Sequence, residues 1–267
     1  MVFTNEQLER YSRQIILSGF GVKGQKKLAE AKVLVIGAGG LGSPAAMYLA
    51  AAGTGVIGVA DADAVELSNL QRQIIHTTED LGKPKAESAA ATMRAINPEV
   101  EVRAYNMRVH SKNILDLISD YDFIIDGTDN FPAKFLINDA CVMAGKPFSH
   151  AGILRFQGQL MTVIPHESPC YRCLDETPPS AGDVPTCREA GIIGAVAGVI
   201  GTLQALEAIK YVTGTGELLT GKILTFDGLS MSFRTVTFNH RRCDCGVCSE
   251  HPTITELIDY ELPVCDL

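Results

Sequence analysis

The sequence lacks three features that would place it in common functional classes. No G-x-x-x-x-G-K-[ST] motif occurs, which excludes an ordinary P-loop nucleotide site. Basic residues are not in excess, because 23 lysines and arginines against 31 acids give a formal net charge of −8. That balance argues against a nucleic-acid or anionic membrane surface. The first residues show no basic start followed by an apolar core, so we expect no secretory signal.

No apolar run in the sequence predicts a membrane span. The longest, residues 192–206, is interrupted by Gly194, Gly198, Gly201, Thr202 and Gln204. We interpret it as a buried helix whose small residues allow close packing. Eight cysteines without a secretory signal favour the reducing cytoplasm, where metal-binding or catalytic thiols are expected in place of a disulfide framework.

The length of 267 residues and the 46% apolar content fit one large domain with a full core. We divide it into an N-terminal helical arm (1–28), a nucleotide-binding half (29–146) and a second half (147–267). From Pro147 onward the pattern changes to strands joined by turns, which predicts an antiparallel extension of the sheet. These strands are predicted at residues 148–151, 159–164, 222–226 and 230–238. The predicted fold class is α/β, a Rossmann-like, mostly parallel sheet flanked by helices and extended by antiparallel strands.

The N-terminal arm is predicted to begin with a helix over residues 4–17. Thr4 and Gln7 have the spacing of a capping box. The glycines at 19, 21 and 24 predict a loop, followed by a second short helix over residues 25–31.

A glycine-rich turn follows the first predicted strand. Gly37, Gly39 and Gly42 fit G-x-G-x-x-G, and Gly40 lies within the same turn. Glycine here allows a tight turn, a close approach to a phosphate and close packing of helix on strand. The helix that follows, residues 43–52, would direct free N–H groups at an anion. The motif does not separate ATP from NAD, and a tight turn that binds nothing is the alternative interpretation.

Further polar residues follow the next elements. The second strand ends at Asp61, where a carboxylate can bond ribose hydroxyls. The loop after it carries Asp63, Asn69, Arg72 and Gln73. Lys85 lies near the N-terminus of a predicted helix over residues 86–96, where a cation opposes the helix dipole. That position favours a role in binding an anion, although a solvated lysine is the simpler alternative.

The fourth predicted strand ends in Asp126-Gly-Thr-Asp-Asn. Ligands bind at the carboxyl ends of such strands, so Asp129 is a candidate for holding Mg²⁺ against phosphates. The alternative is that Asp129 caps the helix predicted over residues 131–144. Asn130 is a further candidate for the nucleotide site.

Two Cys-x-x-Cys pairs predict a structural zinc site. Four thiolates, those of Cys170, Cys173, Cys245 and Cys248, can complete a tetrahedral Zn²⁺ site and leave no open position for a substrate. Redox pairs are the alternative, and Cys243 competes with Cys245 as a ligand.

Cys187 differs from the paired cysteines. It lies in a long Pro- and Gly-rich segment beside Arg188, and it precedes the predicted helix over residues 191–211. An adjacent cation and a helix N-terminus both lower a thiol pKa, so Cys187 is a candidate nucleophile.

Together these segments resemble the ThiF/MoeB/HesA family, bacterial relatives of ubiquitin-activating enzymes, over nearly the whole chain. The motifs that carry the resemblance are Arg10-Tyr-Ser-Arg-Gln-Ile, Gly37-Ala-Gly-Gly-Leu-Gly-Ser, Asp61-Ala-Asp, Ser68-Asn-Leu-Gln-Arg-Gln, Gly82-Lys-Pro-Lys85, Asp126-Gly-Thr-Asp-Asn, both Cys-x-x-Cys pairs and Thr186-Cys-Arg-Glu-Ala-Gly.

The resemblance implies a homodimer that uses ATP to adenylate the C-terminal carboxylate of a small ubiquitin-fold sulfur carrier ending in Gly-Gly, with release of pyrophosphate. It implies phosphate contacts for Asn69, Arg72 and Lys85, and we group Ser68 and Gln73 with them. Asp129 matches a Mg²⁺ position, and Arg13 matches an arginine that reaches into the partner subunit's site. Cys187 matches a cysteine linked to sulfur transfer in part of the family.

The sulfur donor is expected to be a separate protein, because the sequence stops at Leu267 and leaves no room for a sulfurtransferase domain after it. The resemblance does not separate a thiamine-type from a molybdopterin-type carrier. Two other functions are alternatives to adenylation. The protein could be a catalytically silent module that docks a ubiquitin-like protein, or a nicotinamide-dependent dehydrogenase.

Overall fold

The computed structural model describes residues 2–179, 190–238 and 240–260. Its centre is one eight-stranded sheet with the order β3-β2-β1-β4-β5-β6-β7-β8. The first five strands in this order run parallel to one another, and the three pairs from β5 to β8 are antiparallel. The predicted parallel sheet with an antiparallel extension is therefore confirmed. The two predicted halves contribute strands to this same sheet. The strands are β1 Lys32–Ile36, β2 Val56–Ala60, β3 Glu101–Tyr105, β4 Phe123–Asp126, β5 Phe148–Leu154, β6 Gln157–Val163, β7 Lys222–Asp227 and β8 Ser232–Thr237.

Helices cover both faces of the parallel strands. Alternate side chains of β1 explain this arrangement: Val33 and Val35 pack on one face, and Leu34 and Ile36 pack on the other. The helices are α1 Asn5–Arg10, α2 Ser12–Ile15, α3 Gly21–Glu30, α4 Gly42–Ala52, α5 Lys85–Ile96, α6 Ile114–Ser119, α7 Phe131–Met143 and α8 Gly194–Thr213. Helices α4, α5 and α8 pack on the first face, and α6 and α7 pack on the second.

The prediction for the N-terminal arm was right about the helix cap and wrong in expecting one continuous helix. Thr4 and Gln7 form the predicted capping box. The single helix over residues 4–17 is instead two helices separated at Tyr11. That ring is buried against Gly53, and its hydroxyl accepts a hydrogen bond from the side-chain amide of Asn97 at 2.9 Å. The predicted glycine loop is also too long, because α3 already begins at Gly21.

Helix α8 confirms the prediction of close packing. A Cβ on Gly201 would lie 2.2 Å from the carbonyl oxygen of Leu41, so α8 approaches the turn before α4 more closely than any larger residue allows. Among the described helices, α8 is long and apolar enough to cross a membrane when only its length and composition are considered. A buried core helix meets the same criteria, and 44% of the apolar window of α8 is buried here.

Candidate functional site

A cavity of about 460 Å³ opens at the carboxyl edge of the parallel strands, between the loops that follow β1, β2, β3 and β4. This edge is where open α/β sheets bind ligands, and the volume lies in the range of small-molecule sites. Most of the predicted nucleotide-site residues line it. They are Gly37, Gly39, Gly40, Asp61, Asp63, Arg72, Gln73, Lys85, Asp129 and Asn130.

The glycine turn has the geometry that the motif predicts. Gly37 has φ +95°, and a Cβ there would lie 2.8 Å from the carbonyl oxygen of Gly127. A Cβ on Gly42 would lie 1.8 Å from the carbonyl oxygen of Gly37, so this glycine packs the helix on the strand and does not line the cavity. Among the described residues, the N–H groups of Gly39, Gly40 and Leu41 donate no backbone hydrogen bond. They are available to an anion at the start of α4.

Asp61 ties the turn to the second strand. Its carboxylate accepts hydrogen bonds from the backbone N–H groups of Ala38 and Asp63, each at 2.8 Å. A carboxylate has further acceptor capacity, so these bonds leave Asp61 able to accept from ribose hydroxyls.

Cationic and amide groups form the wall beyond the turn. Lys85 is buried at the first position of α5, and its Nζ lies 3.2 Å from Asp63 Oδ2. Arg72 donates to the carbonyl oxygen of Ser68 at 3.0 Å. The Oε1 atom of Gln73 is buried and has no partner within the described part of the chain. An unpaired buried acceptor at a cavity wall favours a hydrogen-bonding ligand there.

The loop after β4 carries Asp129 and Asn130. The cap of α7 is Asn130, whose side-chain oxygen accepts from Ala133 N at 2.9 Å, so the alternative role of Asp129 as that cap is wrong. Asp129 lines the cavity. The carboxylate oxygens of Asp129 and their position at the cavity suit Mg²⁺, and the role of Asp129 in binding this ion stays a prediction.

Five predicted residues are not part of the described cavity wall. Gly42 is the packing glycine described above. Arg13 is exposed on α2. Ser68 is exposed, and Asn69 is buried within the loop, where its side chain accepts from Glu66 N at 3.3 Å. Cys187 lies outside the described residues, and its role stays a prediction.

The four predicted cysteines form a cluster on the α7 face of the sheet. The sulfurs of Cys170, Cys173, Cys245 and Cys248 lie within 4.8 Å of one another. The Cys170–Cys245 and Cys173–Cys248 sulfur pairs are 3.7 and 3.4 Å apart. Four sulfurs around a tetrahedral zinc ion are separated by roughly 3.8 Å, so the cluster is compatible with zinc. Cys243 is exposed outside the cluster, which favours Cys245 as the ligand.

Three groups of residues near the cavity were missed at the sequence level. His76 is buried with Nε2 3.0 Å from the Ala38 carbonyl oxygen and Nδ1 2.9 Å from Ser88 Oγ. A carbonyl oxygen only accepts, so Nε2 carries the proton and Ser88 donates to Nδ1. Burial lowers the His76 pKa, which favours this neutral form. His76 thus joins the glycine turn to α5.

The second group surrounds Asp126 at the end of β4. Lys134 Nζ and His150 Nδ1 each lie 3.0 Å from Asp126 Oδ2, and all three side chains are buried. Asp126 Oδ1 accepts from the N–H and hydroxyl of Thr128 at 3.0 and 2.6 Å. Burial acts to raise the Asp126 pKa, but Lys134 and His150 hold it well below its usual range. A charged residue inside an apolar helix, as Lys134 is, was the signal in the sequence that could have revealed this second group.

The third group is Asp259 and Tyr260, which also line the cavity.

Comparison with known proteins gives the family. A model described as the ThiF family matches residues 11–247. The chain belongs to the ThiF family. This confirms the resemblance and gives no support to the dehydrogenase alternative.

Relatives of this ThiF-family chain are named for adenylation. This chain is 47% identical to a sulfur carrier protein adenylyltransferase of Thermus thermophilus, over 98% of both chains. It is 48% identical to adenylyltransferase and sulfurtransferase MOCS3 of Culex quinquefasciatus, over 96% of this chain. The chain spans only 59% of the length of that mosquito protein.

Solved structures share the fold. Escherichia coli MccB with MccA-N7isoASN has a TM-score of 0.81 and 25% identity, covering 92% of this chain and 76% of MccB. MccB with ATP has a TM-score of 0.75 and 25% identity, covering 90% of this chain and 73% of MccB.

Proposed function

We propose that this protein uses ATP to adenylate the C-terminal glycine carboxylate of a small ubiquitin-fold sulfur carrier, releasing pyrophosphate. The observation that carries the proposal is the single cavity that gathers the glycine turn, Asp61, Arg72, Lys85 and Asp129 in a chain of the ThiF family. Its likeness to a sulfur carrier protein adenylyltransferase over 98% of both chains supports the substrate class.

The reaction joins two anions. A carrier carboxylate oxygen forms a bond to the α-phosphorus of ATP, and the bond from that phosphorus to the bridging oxygen breaks, so that pyrophosphate leaves with the electron pair. The carboxylate is already ionised at neutral pH, so the reaction requires no general base. The protein must reduce repulsion between the anions and stabilise charge on the leaving group.

The chain's own groups fit these tasks. N–H groups of the glycine turn bind phosphate oxygens, and Arg72 and Lys85 contribute positive charge at the cavity wall. Lys85 exchanges its partner Asp63 for phosphate oxygens when the nucleotide binds. Asp61 orients the ribose, which holds the α-phosphorus in place for attack. Asp129 would hold Mg²⁺, which supplies further charge neutralisation at the phosphates.

The protein is further proposed to act as a cytoplasmic homodimer. The exposed position of Arg13 on α2 supports a contact with a partner subunit's site. The four-cysteine cluster is proposed to bind one structural zinc ion, because its geometry fits zinc and four thiolates leave no position for substrate.

The pathway part of the proposal is sulfur delivery for thiamine or molybdopterin synthesis, with sulfur from a separate donor protein. Cys187 would act after adenylation, in transfer of sulfur to the carrier. We expect Cys187→Ser to retain pyrophosphate exchange and to lose thiocarboxylate formation. Loss of exchange itself would contradict this role.

The variant Arg72→Ala tests the proposed function directly. We expect it to lower the rate of carrier-dependent ATP–pyrophosphate exchange by 100-fold or more, because a charge that stabilises the transition state is typically worth this factor. Arg103→Ala is the matched control, since Arg103 pairs with Glu101 and Asp120 away from the cavity. Full activity of Arg72→Ala, with unchanged thermal stability, would remove Arg72 from the mechanism.

A further inference from the structure

The segment after the last cluster cysteine, residues 249–260, connects the cysteine cluster to the nucleotide cavity. We name it the C-terminal strap. It begins beside Cys248 and ends with Asp259 and Tyr260, which line the same cavity as the glycine turn and Asp61. Its Ile254 packs against Gly246, between two cluster cysteines, and donates its N–H to the Gly246 carbonyl oxygen at 2.8 Å.

Asp259 fixes the loop that follows β3. Its two carboxylate oxygens accept from the N–H and the hydroxyl of Ser111, at 2.7 and 2.8 Å. The adjoining residues of that loop, Met107 to His110, line the cavity. The strap therefore holds one wall of the cavity from outside the parallel sheet.

Tyr260 is fixed from the other side by Arg172, which lies between the cluster residues Cys170 and Cys173. The buried guanidinium of Arg172 makes two bonds to the Asp139 carboxylate on α7, at 2.7 and 2.8 Å, and donates to the Tyr260 hydroxyl. The hydroxyl in turn donates to Asp139 Oδ2 at 3.4 Å. The Tyr260 ring also packs against Phe135, with ring centroids 6.1 Å apart. Both halves of the cysteine cluster are thereby connected to this ring.

The cavity lining combines two chemically different sets of residues. Arg72, Lys85 and the free N–H groups of the turn suit phosphates, whereas Met107, Val109, Leu136 and Tyr260 present apolar surface. Asp61, at the end of β2, is expected to hold the ribose, and the loop after β3 lies on the far side of β2 from the glycine turn. A nucleotide whose phosphates bind at the turn would direct its base toward this loop and the strap.

We propose that the C-terminal strap, through Asp259 and Tyr260, forms the wall that contacts the nucleoside half of the bound ATP. The inference rests on the proposed function, because it requires ATP in the cavity. Tyr260 contacts the base or ribose, and Asp259 is a positioning residue that acts through the loop at Ser111. The cysteine cluster orders the strap and so contributes to nucleotide affinity without touching the nucleotide.

The test compares two ligands by titration calorimetry on the full chain with zinc and Mg²⁺: ATP, and inorganic tripolyphosphate, which has no nucleoside. We expect Tyr260→Ala to weaken ATP binding about tenfold, the effect typical of losing an aromatic contact with a base. Tripolyphosphate binding should change by less than about twofold. Tyr260→Phe, which keeps the ring, should restore ATP affinity to within about threefold. Asp259→Asn should show a smaller selective loss for ATP, and its charge-matched control Glu256→Gln, an exposed change on the same strap, should show none.

A parallel loss for both ligands would assign the strap a purely structural role and overturn the inference, as would unchanged ATP affinity. A second measurement covers a variant that is partly unfolded. In pyrophosphate exchange, Tyr260→Ala should raise the KM for ATP about tenfold and leave kcat within about twofold, whereas partial unfolding lowers kcat alone. Failure of the unaltered protein to bind ATP would overturn the proposed function itself, which separates the two failures.

Discussion

The buried ion pair of Asp126 and Lys134 gives a prediction whose size follows from the structure. Asp126 is fully buried, and the Lys134 side chain is 8% exposed. The variant Asp126→Asn keeps the shape of the side chain but leaves the Lys134 ammonium with the Ala151 carbonyl oxygen and the new amide as partners. Removing one member of a buried pair leaves an uncompensated charge, which costs about 3–5 kcal/mol in the free energy of unfolding.

The assay is thermal denaturation at fixed protein concentration. For a chain of this size each kcal/mol shifts Tm by roughly 2–4 °C, so Asp126→Asn should lower Tm by about 6–20 °C. The double variant Asp126→Asn/Lys134→Met removes both charges and should recover at least about 2 kcal/mol of the loss. The control Asp120→Asn breaks an exposed pair with Arg103, 3.5 Å long, and should cost less than about 1 kcal/mol.

The contribution of the same pair to folding stability changes with pH in a defined direction. The folded-state pKa of Asp126 is held below the unfolded value of about 3.9. Its contribution to stability is therefore complete above about pH 5 and is lost as pH falls through the folded pKa. A loss below about 1 kcal/mol for Asp126→Asn, or a double variant no better than the sum of the two single variants, would refute the reasoning.

Three further predictions, two of them with a control variant, test other parts of the structure. Burial lowers the His76 pKa, so below about pH 6.5 the unfolded chain binds a proton at His76 more readily than the folded protein does, and acid destabilises the fold. As pH falls from 7.5 to 5.5, His76→Gln should therefore lose less stability than the unaltered protein, as read by Tm. Gly42→Ala places a Cβ 1.8 Å from a backbone oxygen and should lower Tm strongly, whereas Gly198→Ala, with no atom within 4 Å, should be neutral or slightly stabilising. Cys245→Ser should abolish stoichiometric zinc by metal analysis, and Cys243→Ser should retain it.

Local sequence signals predicted the elements that form the cavity. Buried apolar runs such as β1 and β4 have one stable placement, at the centre of a parallel sheet. The glycine turn and Asp61 were predictable because their chemistry depends on a few adjacent residues. The four cysteines were predictable as a set because metal-ligand spacing is a local property of each pair.

Contacts between distant segments were not predictable. The break between α1 and α2 at Tyr11 depends on Asn97, 86 residues away, and nothing near Tyr11 predicts it. Tyr260 reaches its partner Arg172 across 88 residues. Asn130 was separable from Asp129 as the helix cap only by backbone geometry, because both residue types make good caps.

The measurement that tests the central claim most directly is ATP–pyrophosphate exchange by the purified protein with Mg²⁺. It should be run without a carrier, with a thiamine-type carrier and with a molybdopterin-type carrier. The account predicts exchange that depends on a carrier ending in Gly-Gly, because the acyl-adenylate forms reversibly, and the carrier that supports exchange identifies the pathway. No exchange with either carrier, from protein shown to bind ATP, would contradict the account.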